Sequence, residues 1–125
     1  MRKDLVVTPD DRPGVLADIG ETLAEAGVNI EACSAFTGGG KSVVHLLVDD
    51  DVAGVAALQE AGLTVHAARE VAIAQLSNEP GSLAQATRRV HDAGINIEQA
   101  YFANDNRIVI VSDDPAGVRS ALGEV

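Results

Sequence analysis

A stretch of sequence that occurs twice constrains this chain more than any other feature. Pro13-Gly14-Val15-Leu16-Ala17 returns as Pro80-Gly81-Ser82-Leu83-Ala84, and Ala26-Gly27-Val28-Asn29-Ile30-Glu31 returns as Ala93-Gly94-Ile95-Asn96-Ile97-Glu98. Both returns carry the same offset of 67 residues. Two matched pairs in one register mark a duplication. The 125 residues therefore read as two small units, 1–70 and 71–125, and not as one ordinary domain.

Each copy parses into the same elements. Leu5 to Thr8 is a short β-branched run and reads as a strand, broken by Pro9-Asp10-Asp11-Arg12. Pro13 suits the first turn of a helix, where a missing N–H costs nothing. Val15, Ile19 and Leu23 share a helical face, joined by Leu16 and Ala26, and Gly27 is placed to stop the helix in a left-handed conformation. Val28, Ile30, Ala32 and Phe36 then alternate on one face of a strand, with Cys33 on the other. Thr37 to Ser42 reads as a flexible connection, and Val43 to Val48 as an interior strand. Asp49-Asp50-Asp51 introduces a second helix, with Val52, Val55 and Leu58 inward and Gly62 ending it.

Leu63 to Ser77 closes the first copy and opens the second. A helix from about Pro80 to Ala93, strands over Ile95–Phe102 and Arg107–Val111, and a helix from about Pro115 complete the second copy. The order strand, helix, strand, strand, helix, strand is the ferredoxin-like plan: an α+β fold in two tandem βαββαβ units with antiparallel sheets. The second copy reaches Val125 without a closing strand, so seven strands are expected and one sheet edge is left open. Either the Leu63–Ser77 segment serves both copies or a second chain pairs there.

Composition narrows the function. Hydrophobic residues make up 46% of the chain but aromatics only 2%, so the core is Val, Ile, Leu and Ala, with no platform for stacking bases or sugars. A net charge of -10 argues against nucleic acid and against an anionic membrane surface. No apolar stretch has the length of a signal peptide or a membrane span, and Cys33 has no partner for a disulfide. The expectation is a cytoplasmic protein.

A polar loop, then Pro-Gly-x-Leu-Ala, a helix and Gly-Val/Ile-Asn-Ile-Glu, found twice in the right element order, resembles the ACT family. The closest picture is a stand-alone tandem ACT protein. That resemblance implies a non-catalytic regulatory protein that binds a small molecule, most often an amino acid, needs no cofactor, and passes the signal to an enzyme or other protein partner. It implies ligand contact where the loop before the first helix of one module faces the second strand of a neighbouring module, within a homodimer. On this sequence the implied contacts are Asp11, Arg12, Pro13, Gly14, Val15, Leu16, Asn29 and Ile30 in copy one. In copy two they are Asn78, Glu79, Pro80, Gly81, Ser82, Leu83, Asn96 and Ile97.

The residues support such chemistry in their own right. A helix N-terminus offers unpaired N–H groups and a positive dipole end to a carboxylate. Gly14 and Gly81 let a ligand approach the backbone. Asn29 and Asn96 can accept from an ammonium and donate to a carboxylate. Asp11 adds charge for the ammonium, and Arg12 for an acidic side chain. Copy two carries Asn78 and Glu79 in place of Asp11 and Arg12, so its ligand or its affinity should differ.

Each motif has a structural alternative. Pro-Gly is ordinary turn punctuation, and the asparagines can satisfy backbone groups where a helix passes into a strand. Gly38-Gly39-Gly40-Lys41-Ser42 lacks the spacing of a phosphate loop and lies between strands. His45, His66 and His91 have no metal-ligand spacing, and the acidic clusters lack the further oxygens of a calcium loop. No acid–base or nucleophilic constellation is visible. The rival to an amino-acid sensor is an oligomerisation or regulatory-subunit module with degenerate pockets. An enzyme of the same fold stands third.

Overall fold

A computed structural model describes residues 2–123. The chain divides into two compact units at Arg69/Glu70. The first contains β1 (Lys3–Val7), α1 (Val15–Glu25), β2 (Ile30–Gly38), β3 (Lys41–Val48), α2 (Asp51–Glu60) and β4 (Val65–Glu70). Its sheet has the order β2-β3-β1-β4, and β3 runs antiparallel to both β1 and β2. This is the ferredoxin-like arrangement that the order of elements predicts.

Two helix faces close the first core. Ile19 and Leu23 of α1 and Leu58 of α2 meet Leu5, Val7, Val44, Leu46 and Val48 of the sheet, all buried, with Ile30 and Val65 packed alongside. Leu16 is 49% exposed and Ala26 is also exposed, so neither joins the buried face expected for α1. On α2 the inward position falls to Gly54 and not to Val52, which is 76% exposed. Alanines and valines lie all round that helix, so its apolar pattern did not define a face; the i, i+4 pair Gly54 and Leu58 does.

The second unit contains β5 (Ala72–Gln75), α3 (Ser82–Asp92), β6 (Gln99–Ala103), β7 (Arg107–Val111) and α4 (Pro115–Leu122). Its sheet is β5-β7-β6, antiparallel, and Ala72, Val90, Ile108, Ile110 and Val118 form its core. Seven strands are thus present among the described residues. The Leu63–Ser77 segment resolves into two of them: β4 completes the first sheet, and β5 opens the second. Within the second sheet β5 is an edge strand, in the place where the first sheet adds β4.

Three local features depart from the sequence reading, each with a physical reason. Pro13 is not inside α1. Val15 N–H reaches the Arg12 carbonyl at 3.5 Å, and Gly14 has φ +86° and ψ −4°, as residue three of a type II turn requires. Glu79 to Ser82 repeats this turn, with Gly81 at φ +90°. Next, a bulge between Ile30 and Ala32 shifts the pairing of β2. The extra residue turns Ala32 and Phe36 to the face opposite Ile30 and brings Cys33 to the helix side, opposite Leu46. Finally, Thr37 to Ser42 is not a loose connection. β2 and β3 run to Gly38 and Lys41, joined by Gly39 and Gly40 at φ +60° and +78°, the two positive angles of a tight hairpin turn.

Candidate functional site

The long β2–β3 hairpin and the start of α1 enclose a cavity of about 510 Å³. Asp11, Arg12, Gly14, Val15, Leu16 and Ala17 line it from the turn and the helix. Ala35, Phe36, Thr37, Ser42 and Val44 line it from the strands. Pairing places Ala35 opposite Val44 and Thr37 opposite Ser42, so these four share the helix-facing side of the sheet.

Two kinds of polar group meet here. The N-terminus of α1 has no side-chain cap, which leaves the N–H groups of Leu16 and Ala17 unpaired at the positive end of the helix dipole. Ser42, 5% exposed, brings a hydroxyl that forms no hydrogen bond within the described residues. A buried hydroxyl without a partner is uncommon, because its desolvation goes uncompensated. Around these groups most of the wall is apolar, from Val15, Leu16, Ala17, Ala35, Phe36 and Val44. The arrangement accommodates a small molecule with an anionic end and a short, partly apolar body.

Charge is arranged unevenly at the mouth. Arg12 donates to Asp18 Oδ2 at 2.7 Å and to the Pro13 carbonyl at 3.4 Å, with both side chains half exposed. Its guanidinium is thus already engaged across the first turn of α1, while Asp11 has no partner among the described residues.

The ACT domain family profile matches residues 5–61, which carry the turn, both helices and the hairpin. Over residues 5–61 the chain is similar to the ACT domain. Among solved structures the whole chain is similar to a protein from Bacteroides thetaiotaomicron, with 25% identity, 97% of this chain and 85% of that chain covered, and a TM-score of 0.85. It is also similar to the regulatory subunit of aspartate kinase from Thermus thermophilus in its ligand-free form, at 21% identity, 98% and 90% coverage and a TM-score of 0.73. The corresponding subunit from Thermus flavus gives 20% identity, 98% and 90% coverage and a TM-score of 0.70. At the identities of the two kinase subunits, the shared property is the fold. Comparison with curated proteins gives no match.

Within residues 5–61, the cavity gathers Asp11, Arg12, Gly14, Val15 and Leu16, with Pro13 in the turn between them. It does not gather Asn29 and Ile30. These stand beyond the far end of α1, an 11-residue helix and so about 16 Å long. There the Asn29 backbone exchanges hydrogen bonds with Asp49, its N–H reaching Oδ1 at 3.0 Å and its carbonyl accepting at 3.1 Å. Ile30 packs on the core, and Glu31 holds Arg2 through two contacts of 2.7 and 2.9 Å. In the second unit, Ser82 lines a smaller cavity of about 170 Å³ with Gln75, Gln85, Arg89 and Leu122. Ile97 packs against the core and Asn96 is exposed.

Sequence reasoning missed the strand half of this cavity: Ala35, Phe36, Thr37, Ser42 and Val44. The connection reads as a flexible hairpin, but not as a tight one whose strands run to Gly38 and Lys41 and reach the helix start. Also missed is a pair that sequence separation hides. Asp4, 1% exposed, lies 2.9 Å from His45 Nδ1. Both side chains take the sheet face away from the cavity, as His45 opposes Val6 and Asp4 opposes Leu47. No group of three or more potential metal-ligating residues occurs among the described residues. No described helix is long and apolar enough to cross a membrane. Cys33 is surface-exposed on β2, and partial burial pushes its thiol pKa up, the opposite of what a reactive thiol needs.

Proposed function

We propose that this protein is a non-catalytic regulatory module that binds a free amino acid in the cavity of its first unit. The observation that carries the reading is the convergence of an uncapped helix start and the buried Ser42 hydroxyl on one cavity with mostly apolar walls. The ligand carboxylate takes the N–H groups of Leu16 and Ala17, its ammonium faces Asp11, and its side chain enters between Leu16, Ala35 and Val44. Ser42 supplies a hydrogen bond at depth. The second unit shares the turn, the helix start and the sheet order of the first, which supports a tandem ACT protein.

Two proteins of this fold are regulatory subunits of aspartate kinase, and on that pattern the chain acts on an enzyme partner in the cytoplasm. A homodimer joined along β2, the edge strand nearest the cavity, would couple occupancy to assembly. Asn29, Ile30, Asn96 and Ile97 then find a role only if a neighbouring copy brings them to a site. Thermal melting of the chain with each of the twenty protein amino acids tests the reading, because a ligand of the folded state alone raises the melting temperature. A rise with one amino acid or a few is expected. No rise with any of them would replace the sensor by an assembly module.

A further inference from the structure

The two units share the turn, the uncapped helix start and the order of three strands, yet they differ at the position that decides whether a cavity exists. Equivalent positions follow from the pairing. Val7 opposes Val44 in the first sheet, and Ala74, its counterpart at the repeat offset, opposes Ile108 in the second. Val44 opposes Ala35 on β2, whereas Ile108 opposes Phe102 on β6. Phe102 therefore occupies the position of Ala35, on the helix-facing side of its sheet. A methyl that lines the first cavity is replaced by a phenyl group, and α3 carries Leu83 near its start where α1 carries Leu16.

The hairpins diverge in the same sense. β2 and β3 run past the start of α1, and Ser42 sits on that extension with its hydroxyl buried and unpartnered. β6 and β7 stop at Ala103 and Arg107, joined by Asn104–Asn106. The position of Ser42 falls on Asn106, in a left-handed conformation at φ +55°, and its amide Nδ2 is spent on the Leu76 carbonyl at 2.9 Å. At the position of Ser42 the second unit thus has no free polar group, and its cavity of about 170 Å³ lies elsewhere, among Gln75, Ser82, Gln85 and Arg89.

We infer that the chain holds one amino acid, in the first unit, and that Phe102 closes the corresponding place in the second. This rests on the amino-acid reading above. The repeated turn and helix start are kept in the second unit for folding, and its exposed Leu83 and Phe102, 42% and 49% exposed, are wall and plug.

Titration calorimetry of the full chain tests this, using whichever of the twenty amino acids gives the largest thermal shift. One ligand per chain is expected. Ala35→Phe, which installs the plug in the first unit, should weaken binding at least tenfold, Ala35→Leu should fall between, and Phe102→Ala should leave the first site's affinity within twofold. Circular dichroism of each variant distinguishes a blocked site from a failure to fold, and the leucine variant serves if the phenylalanine variant does not fold. Amide resonances of Gly14 to Ala17, and not of Gly81 to Ala84, should move with ligand. Two ligands per chain, wild-type affinity in both Ala35 variants, or shifts at Gly81 to Ala84 would each overturn the inference while leaving the amino-acid reading intact. No heat with any amino acid would overturn both.

Discussion

Replacing Ser42 by alanine separates a binding role from a structural one, because the two predict opposite signs. The side chain is 5% exposed and bonds to nothing among the described residues. A hydroxyl buried without a partner costs about 1–3 kcal/mol in mutational series. The cavity beside it admits solvent, so that cost is partly offset. Ser42→Ala should therefore leave the unligated protein as stable as wild type, or more stable by up to about 1 kcal/mol. With ligand the sign reverses. A neutral hydrogen bond contributes about 0.5–1.5 kcal/mol net, which is roughly a 2- to 12-fold change in affinity. At a ligand concentration of 100 Kd, binding stabilises the folded state by about 2.7 kcal/mol, and a tenfold loss of affinity cuts that to about 1.4 kcal/mol. Urea denaturation with and without the amino acid measures both quantities on one protein. If the unligated variant loses more than about 1 kcal/mol and the ligand increment is unchanged, Ser42 is a structural residue and the site reasoning fails.

The remaining predictions concern backbone and packing. Gly14→Ala and Gly81→Ala each meet open space for the new Cβ but hold φ at +86° and +90°, so each should cost about 1 kcal/mol of stability; equal stability to wild type would mean that the turns relax. Only the Gly14 change should also weaken ligand binding. Gly54→Ala places its Cβ 3.4 Å from Val48 and 3.6 Å from Leu5, ordinary contact in a helix interior, and should raise the denaturation midpoint by roughly 0.5–1 kcal/mol equivalent. Gly117→Ala should do the reverse by about 1–2 kcal/mol, since its Cβ collides with the Asp114 carboxylate that caps α4 and comes within 2.8 Å of Ile95. Cys33, its pKa pushed up by burial, should be alkylated by iodoacetamide with a rate midpoint above that of a free thiol; a midpoint at or below it would contradict the assigned environment.

Most of the fold was legible because the duplication makes each element count twice. The turn-and-helix half of the site was legible for the same reason: Pro13-Gly14 and Pro80-Gly81 flag positions that need a positive φ, whatever else they do. What stayed hidden depends on strand register. Val28 to Phe36 has a clean alternation, but a bulge at Glu31 reverses it for every later residue, and no propensity marks where one extra residue will be absorbed. The inward set of β2 is therefore Cys33, Ala35 and Thr37, small residues that a search for apolar periodicity passes over. Their smallness leaves the cavity open. Val52 was misplaced for a related cause, since a helix built of alanine and valine carries no polar face to contradict the wrong choice.

The bulge also sets which side of its sheet Phe36 takes. Phe36 and Phe102 are both large and exposed, yet at the repeat offset of 67 residues the counterpart of Phe102 is Ala35 and that of Phe36 is Ala103. Strand pairing agrees: Phe36 opposes Val43 on the face away from the helices, and Phe102 opposes Ile108 on the face toward them. Phe36 thus borders the first cavity from the far face of its sheet, whereas Phe102 stands on the helix-facing side of its own. If swapping the pair (Phe36→Ala with Ala35→Phe, and Phe102→Ala with Ala103→Phe) leaves binding in the first unit at wild-type affinity, then strand pairing is not what sets the difference between the units. If register sets it, the first change blocks binding and the second leaves it unaltered.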